Sequence, residues 1–117
     1  MEENFKKYGL KNLKVKGDKM EDKLVEIVNY YGINKQLKYI HSEYYELDEA
    51  ILECEHSYHY SPTQLGRTYK NHIAEEIADV MVMLKQFQYY YDISDEQIKK
   101  ITREKVERQL ERIKNEK

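Results

Sequence analysis

The chain has 117 residues and a formal net charge of −2, with 36% charged and 40% hydrophobic residues. That is the size of a single domain with a modest core, and its charge balance excludes a strongly basic nucleic-acid binder. No apolar run approaches the ~20 residues needed to cross a bilayer. The one cysteine, Cys54, excludes an internal disulfide and suits a reducing compartment. Acids in Met1-Glu2-Glu3-Asn4, where a signal peptide carries positive charge ahead of an apolar stretch, point to a cytoplasmic protein.

In chain order, residues 1–17 are polar, are broken by Gly9 and Gly17, and read as a loosely packed arm of the single domain 1–117. Asp18 is a candidate N-cap for a helix over 18–31, closed by Gly32. Its apolar positions are Met20, Leu24, Ile27, Val28 and Tyr31, spaced as on an amphipathic helix. A longer helix is predicted over 34–55, with Leu37, Ile40, Tyr44, Leu47, Ile51 and Cys54 as its buried stripe. The stretch 56–68 carries Pro62 and Gly66 and reads as a long loop or lid.

The third helix is predicted over 70–91. Ile73, Ile77, Val80, Met81, Leu84 and Phe87 spread around a wide arc, which predicts the most buried element. The last helix starts at Ser94, with Gln97 three residues on as in a capping box. Ile98, Ile101, Val106, Leu110 and Ile113 mark its predicted buried side. There is no strand-like alternation and no internal repeat. The expectation is an all-α bundle of about four helices whose core is completed by oligomerisation.

Two carboxylate pairs stand out. Glu43 and Glu46 lie three apart on the second helix, and Glu76 and Asp79 lie three apart on the third. Residues at that spacing share a helix face, and both pairs sit among apolar residues, where an unpaired acid is costly. Asp79, between Ala78 and Val80, is a poor mid-helix residue. Four acids aimed into one seam repel, and a hard divalent cation relieves that repulsion. Oxygen-only ligation suits Mg²⁺ or Mn²⁺. The bland counterpart is a set of solvated surface acids. Glu49 and Glu53 extend the acidic face as possible helpers, and Glu75 points about 100° away from Glu76.

Other metal chemistries fit less well. A ferritin-like site wants two Glu-x-x-His motifs, and only Glu53-Cys54-Glu55-His56 supplies one. Cys54 on an apolar stripe reads as an inert buried thiol. On the last helix, Lys105, Gln109 and Arg112 recur at i, i+4 and i+7, a stripe able to hold a phosphate tail. Glu104, Glu107 and Glu111 interleave, as on any salt-bridged surface helix.

From about residue 30 to 113 the chain resembles the MazG-like nucleoside triphosphate pyrophosphohydrolases, an all-α group that includes dimeric dUTPases and dCTP pyrophosphatases. The resemblance rests on Glu43-x-x-Glu46 followed by Leu47 and Ala50-Ile51, and on Glu75-Glu76-Ile77-Ala78-Asp79-Val80. It extends to Gly32-Ile33-Asn34-Lys35-Gln36 and to the segment from Lys105 to Ile113. Ser42 stands where the family often carries a further acid. The resemblance implies Mg²⁺-dependent cleavage of a nucleoside triphosphate to the monophosphate and pyrophosphate, by a homodimer or homotetramer in which neighbouring subunits close the site. It implies Glu43, Glu46, Glu76 and Asp79 as metal ligands and Lys105, Arg112 and Gln109 as phosphate contacts. Gln36 and Lys38 are implied as base or phosphate contacts. The alternative is a non-catalytic helical protein that binds nucleotides or regulates without turnover. No membrane or nucleic-acid partner is expected.

Overall fold

A computed structural model describes residues 19–57 and 64–116. Four helices account for nearly all of them: α1 (Met20–Tyr31), α2 (Ile33–Ser57), α3 (Gln64–Tyr90) and α4 (Asp95–Glu116). No strand occurs among the described residues, and no helix is long and apolar enough to cross a membrane. The expected all-α architecture is the one observed. The arm 1–17, the candidate cap Asp18 and the loop segment 58–63 lie outside the described residues.

The N-cap of α1 falls one residue later than the predicted Asp18. Lys19 takes the N-cap position without a side-chain hydrogen bond, and Glu21 and Asp22 place negative charge in the first turn, where the helix dipole favours it. Leu24, Val25 and Val28 form its buried face. The helix stops at Gly32, whose φ of 91° and ψ of 144° belong to a region essentially restricted to glycine. Gly32 donates its N–H to the Val28 carbonyl at 2.8 Å and accepts at its own carbonyl from the Gln36 N–H at 3.1 Å. One residue therefore closes α1 and opens α2.

α2 and α3 form the main contact, α1 packs chiefly on α3, and α1 touches α2 only slightly. α3 begins at Gln64 and runs through Gly66, so Gly66 is not the helix breaker expected from sequence. α2 and α3 are antiparallel in a register where paired residue numbers sum to 122. Gln36 donates to Gln86 across the seam at 2.8 Å. Seven residues on from Gln36 is Glu43, and seven back from Gln86 is Asp79; ten on is Glu46, and ten back is Glu76.

The buried stripe of α2 is displaced from the predicted one. Gln36 and Ala50 are buried and Ile40, Glu43, Leu47 and Cys54 half-buried, whereas Leu37, Tyr44 and Ile51 are exposed. Three of the six positions move by one residue while Ile40, Leu47 and Cys54 stay, which turns the buried face by about 50°. That turn puts polar residues on the seam because the Gln36–Gln86 bond satisfies them there.

α3 departs from expectation in the same way. Glu76, Met83, Gln86, Gln88 and Tyr89 are its buried residues, while Ile77, Met81, Val82 and Leu84 are about half exposed. It is apolar over a wide arc, but α1 and α2 cover only part of that arc. Tyr89 joins Leu24 and Val25 in the core. α3 ends in a Schellman-type closure: Asp92 N–H donates to the Tyr89 carbonyl at 3.1 Å and Ile93 N–H to the Gln88 carbonyl at 3.0 Å. Asp92 takes the left-handed conformation this requires, with φ of 56°.

Ser94 caps α4, its Oγ accepting from the Gln97 N–H at 3.1 Å, as the capping-box reading predicts. The buried side expected on α4 is absent. Ile98, Ile101, Val106, Leu110 and Ile113 are all exposed, because α4 leaves the three-helix body and packs along none of the other described helices.

Candidate metal centre

The α2–α3 seam brings the predicted quartet together. Glu43, Glu46, Glu76 and Asp79 each offer one carboxylate oxygen to a cluster whose oxygens all lie within 4.8 Å of one another. The antiparallel register produces this directly, since the two i, i+3 pairs face each other across the seam. Glu76 is the most buried member at 9% exposure, Glu43 is half-buried, and Glu46 and Asp79 are exposed. Asp79 had looked the costliest acid from its apolar neighbours. In the fold it sits at the open rim, and Glu76 bears the burial.

The electrostatics are those of an uncompensated anion cluster. Burial raises the Glu43 carboxyl above its ordinary range, and the charges of Glu46, Asp79 and Glu76 push it further, against a hydrogen bond from Tyr39. Burial likewise raises Glu76, followed by the charges of Glu46 and Asp79, with His72 opposing and a hydrogen bond with Glu46 adding to the rise. His72 Nδ1 stands 4.0 Å from Glu76 Oε1. One oxygen on each of Glu43 and Glu76, Oε2 in both, is buried with no hydrogen-bond partner. Buried carboxylate oxygens are rarely left this way.

These residues fit a hard divalent cation. Every donor is oxygen, Glu43 and Glu76 each carry a buried oxygen with no hydrogen-bond partner, and the spacing agrees. Opposite ligands of one octahedral Mg²⁺ lie about 4.2 Å apart at bond lengths near 2.1 Å, close to the 4.8 Å span of the cluster.

The other predicted site residues are not gathered there. Lys105, Gln109 and Arg112 are exposed on α4, which does not pack on α2 or α3. Lys38 is exposed on α2. Gln36, expected to contact base or phosphate, is 6% exposed, and its amide N–H is engaged by Gln86 inside the seam. Glu49 is exposed and accepts a hydrogen bond from Tyr45, outside the quartet. Glu53 and Glu75 are exposed.

Sequence reasoning missed Gln86 and its seam partner role, as well as Tyr39 and His72 beside the acids. Gln86 left a usable signal: it lies seven residues after Asp79, as Gln36 lies seven before Glu43. No protein-family model, curated protein or solved structure matches the chain.

Proposed function

We propose that the chain is a MazG-like, Mg²⁺- or Mn²⁺-dependent nucleoside triphosphate pyrophosphohydrolase that works as a homo-oligomer and cleaves (d)NTP to (d)NMP and pyrophosphate. The observation that carries the reading is the convergence of Glu43, Glu46, Glu76 and Asp79 within 4.8 Å, with a buried, unpartnered oxygen on each of Glu43 and Glu76. Those four residues would hold the cation. When bound, it supplies Lewis-acid stabilisation of charge on phosphoryl oxygens. Phosphoryl transfer also needs cationic side chains on the phosphate tail, and Lys105 and Arg112, with Gln109 between them, are the stripe suited to that.

The stripe must reach the quartet from a second copy, since α4 of the same chain stands off the body. The helix geometry supports such a docking. At 100° per residue, Val106, Leu110 and Ile113 lie side by side with the Lys105–Gln109–Arg112 stripe, centred about 100° from it. Burying the apolar side therefore carries the basic stripe to the edge of the same interface. On α3, Ile77, Met81 and Leu84 form an exposed apolar row of their own. Each of these half-exposed aliphatics contributes roughly 1 kcal/mol when covered, enough in sum to offset a good part of the entropy lost on association.

The test is release of pyrophosphate from a panel of ribo- and deoxyribonucleoside triphosphates with Mg²⁺ or Mn²⁺. Turnover of at least one nucleotide, abolished by EDTA, is expected. Tight binding without turnover of any nucleotide would favour the non-catalytic binding protein instead.

A further inference from the structure

We propose that Asp95 is a positioning residue: through Lys85, Gln88 and Tyr89 it fixes the direction in which α4 leaves the helical body. The functional half of this inference, that α4 thereby delivers Lys105, Gln109 and Arg112 to a nucleotide, rests on the hydrolase reading above. The structural half does not.

α4 is a lever. Its 22 residues span about 33 Å at 1.5 Å per residue. Arg112 lies seventeen residues beyond Asp95, about 26 Å along that lever. A tilt of 15° at the base moves Arg112 by about 7 Å, whereas productive phosphate contacts tolerate errors near 1 Å. The base angle must therefore be held to within a few degrees. No contact along the length of α4 with another described helix does this. The Schellman closure fixes how α3 ends, but Ser94 still contributes two soft dihedrals between that closure and α4.

Within one chain the remaining constraint is at the base itself, and it sets the direction from which α4 can meet a second copy. Asp95, the first residue of α4, accepts at Oδ1 from Lys85 Nζ at 2.7 Å, from Tyr89 Oη at 2.8 Å and from Gln88 Nε2 at 2.9 Å. Tyr89 Oη also reaches Oδ2 at 3.0 Å. Three donors from separate side chains fix the position of the carboxylate, and the bridging tyrosine fixes its plane.

The donors are themselves held. The Tyr89 ring is packed with Leu24 and Val25. Gln88 is buried and also donates to the Ile93 carbonyl at 2.9 Å. Lys85 donates to Gln88 Oε1 at 3.0 Å and stands 5.5 Å over the Tyr89 ring. Chemistry agrees with the geometry: the hydrogen bond from Lys85, then those from Gln88 and Tyr89, hold the Asp95 carboxyl well below the ordinary carboxylate range. The Asp95 side chain is 58% exposed, so solvent screens the charge pair. What the knot supplies is aim more than stability. A favourable acid at the helix N-terminus would not by itself explain it, because Glu96 in the same first turn serves the dipole as well.

The test is a distance measurement between spin labels at Lys23→Cys on α1 and Lys114→Cys on α4, both exposed positions, in a Cys54→Ser background. Labelled chain is diluted into excess unlabelled chain so that distances within one copy are read. The parent is expected to show one narrow distribution. Asp95→Ala is expected to broaden it strongly, as is the partner-side double variant Lys85→Met/Tyr89→Phe. Asp95→Asn, which keeps an acceptor for Tyr89 and Gln88, should fall between. Helix content by circular dichroism should not change.

In turnover assays, Asp95→Ala should raise KM for the nucleotide about tenfold, the loss of roughly 1.4 kcal/mol of phosphate contact. Mn²⁺ affinity of the quartet should stay at the parent value. An unchanged distance distribution in Asp95→Ala and in the double variant overturns the inference. A broadened distribution with unchanged KM overturns its functional half. If the parent releases no pyrophosphate at all, the hydrolase reading falls, and the distances still decide the role of Asp95.

Discussion

The Gln36–Gln86 pair lends itself to a quantitative test. Gln86 is 1% exposed and Gln36 6% exposed, and one 2.8 Å hydrogen bond joins them. Among the described residues, the Gln86 side chain has only a long 3.7 Å contact from its amide to the Met83 sulfur besides. Replacing Gln36 with methionine keeps the volume and removes the donor, leaving a buried Gln86 oxygen unmatched at a cost of about 1–3 kcal/mol. Gln86→Met strands the Gln36 amide at a similar cost. The double variant removes both polar groups and should return close to the parent, which predicts a coupling equal to the two single costs together, about 2–6 kcal/mol, in a double-mutant cycle. Urea unfolding at fixed protein concentration reads this as a midpoint shift of about 1 M for each single variant, with unchanged slope.

The double variant separates stability from register. A Met–Met pair has no preferred direction, and a slip of one turn moves α2 along α3 by about 5 Å, enough to split the quartet. The double variant is therefore expected to bind Mn²⁺ more weakly than the parent despite near-parent stability. Single variants that cost under about 0.5 kcal/mol, or a cycle with no coupling, would refute the view that this bond pins the seam.

Glu46→Gln and Asp79→Asn should each lower nucleotide turnover by at least about 100-fold, since loss of an outer-shell partner alone often costs 10–100-fold. Both should raise the metal-free melting temperature, because each removes one of four clustered like charges. A turnover rate near the parent's in either variant would remove that residue from the site. The pH dependence of metal-free stability has a definite sign. The raised carboxyls of Glu43 and Glu76 mean that the folded state binds protons more tightly than the unfolded one. Stability should then rise as pH falls from neutral through their raised range, the gain being complete at the ordinary carboxylate range. Asp95 acts oppositely, its contribution declining as pH falls through the ordinary carboxylate range and fully lost only well below it. Melts in EDTA should show a maximum on the acid side of neutrality; a monotonic fall from pH 7 would contradict the cluster electrostatics. Gly32→Ala should cost about 1–3 kcal/mol through backbone strain alone, because no atom lies within 4 Å of the added Cβ. Asp92→Gly should stabilise by up to about 1 kcal/mol by relieving a left-handed aspartate. Calorimetry checks both.

Local rules explain which features were legible in the chain alone. Helix content followed from apolar periodicity and near absence of proline, and Gly32 and Ser94 marked the start or end of a helix because capping is decided by one or two side chains. The four acids were identifiable because i, i+3 spacing fixes a shared face before any packing occurs. Which face of α2 turns inward was not legible. Leu37, Tyr44 and Ile51 make the more apolar stripe, yet the seam runs through Gln36, Glu43 and Ala50. A polar residue can lie in a seam only if its partner arrives from another helix, and that pairing is written fifty residues away in Gln86.

The same distinction governs the site. The amino-acid sequence by itself determined the helical content, the closing Gly32, the capping Ser94 and the carriers of the negative charge, because these depend on neighbours within one or two turns. The tertiary structure decided that residues 43 and 46 meet 79 and 76 in one antiparallel register, that Glu76 rather than Asp79 is buried, and that α4 stands away from the body with its basic stripe exposed. Those outcomes depend on contacts between segments far apart in the chain, where a rotation changes which face is inner and a slip of one turn changes which residues meet, neither at any cost to local helix propensity.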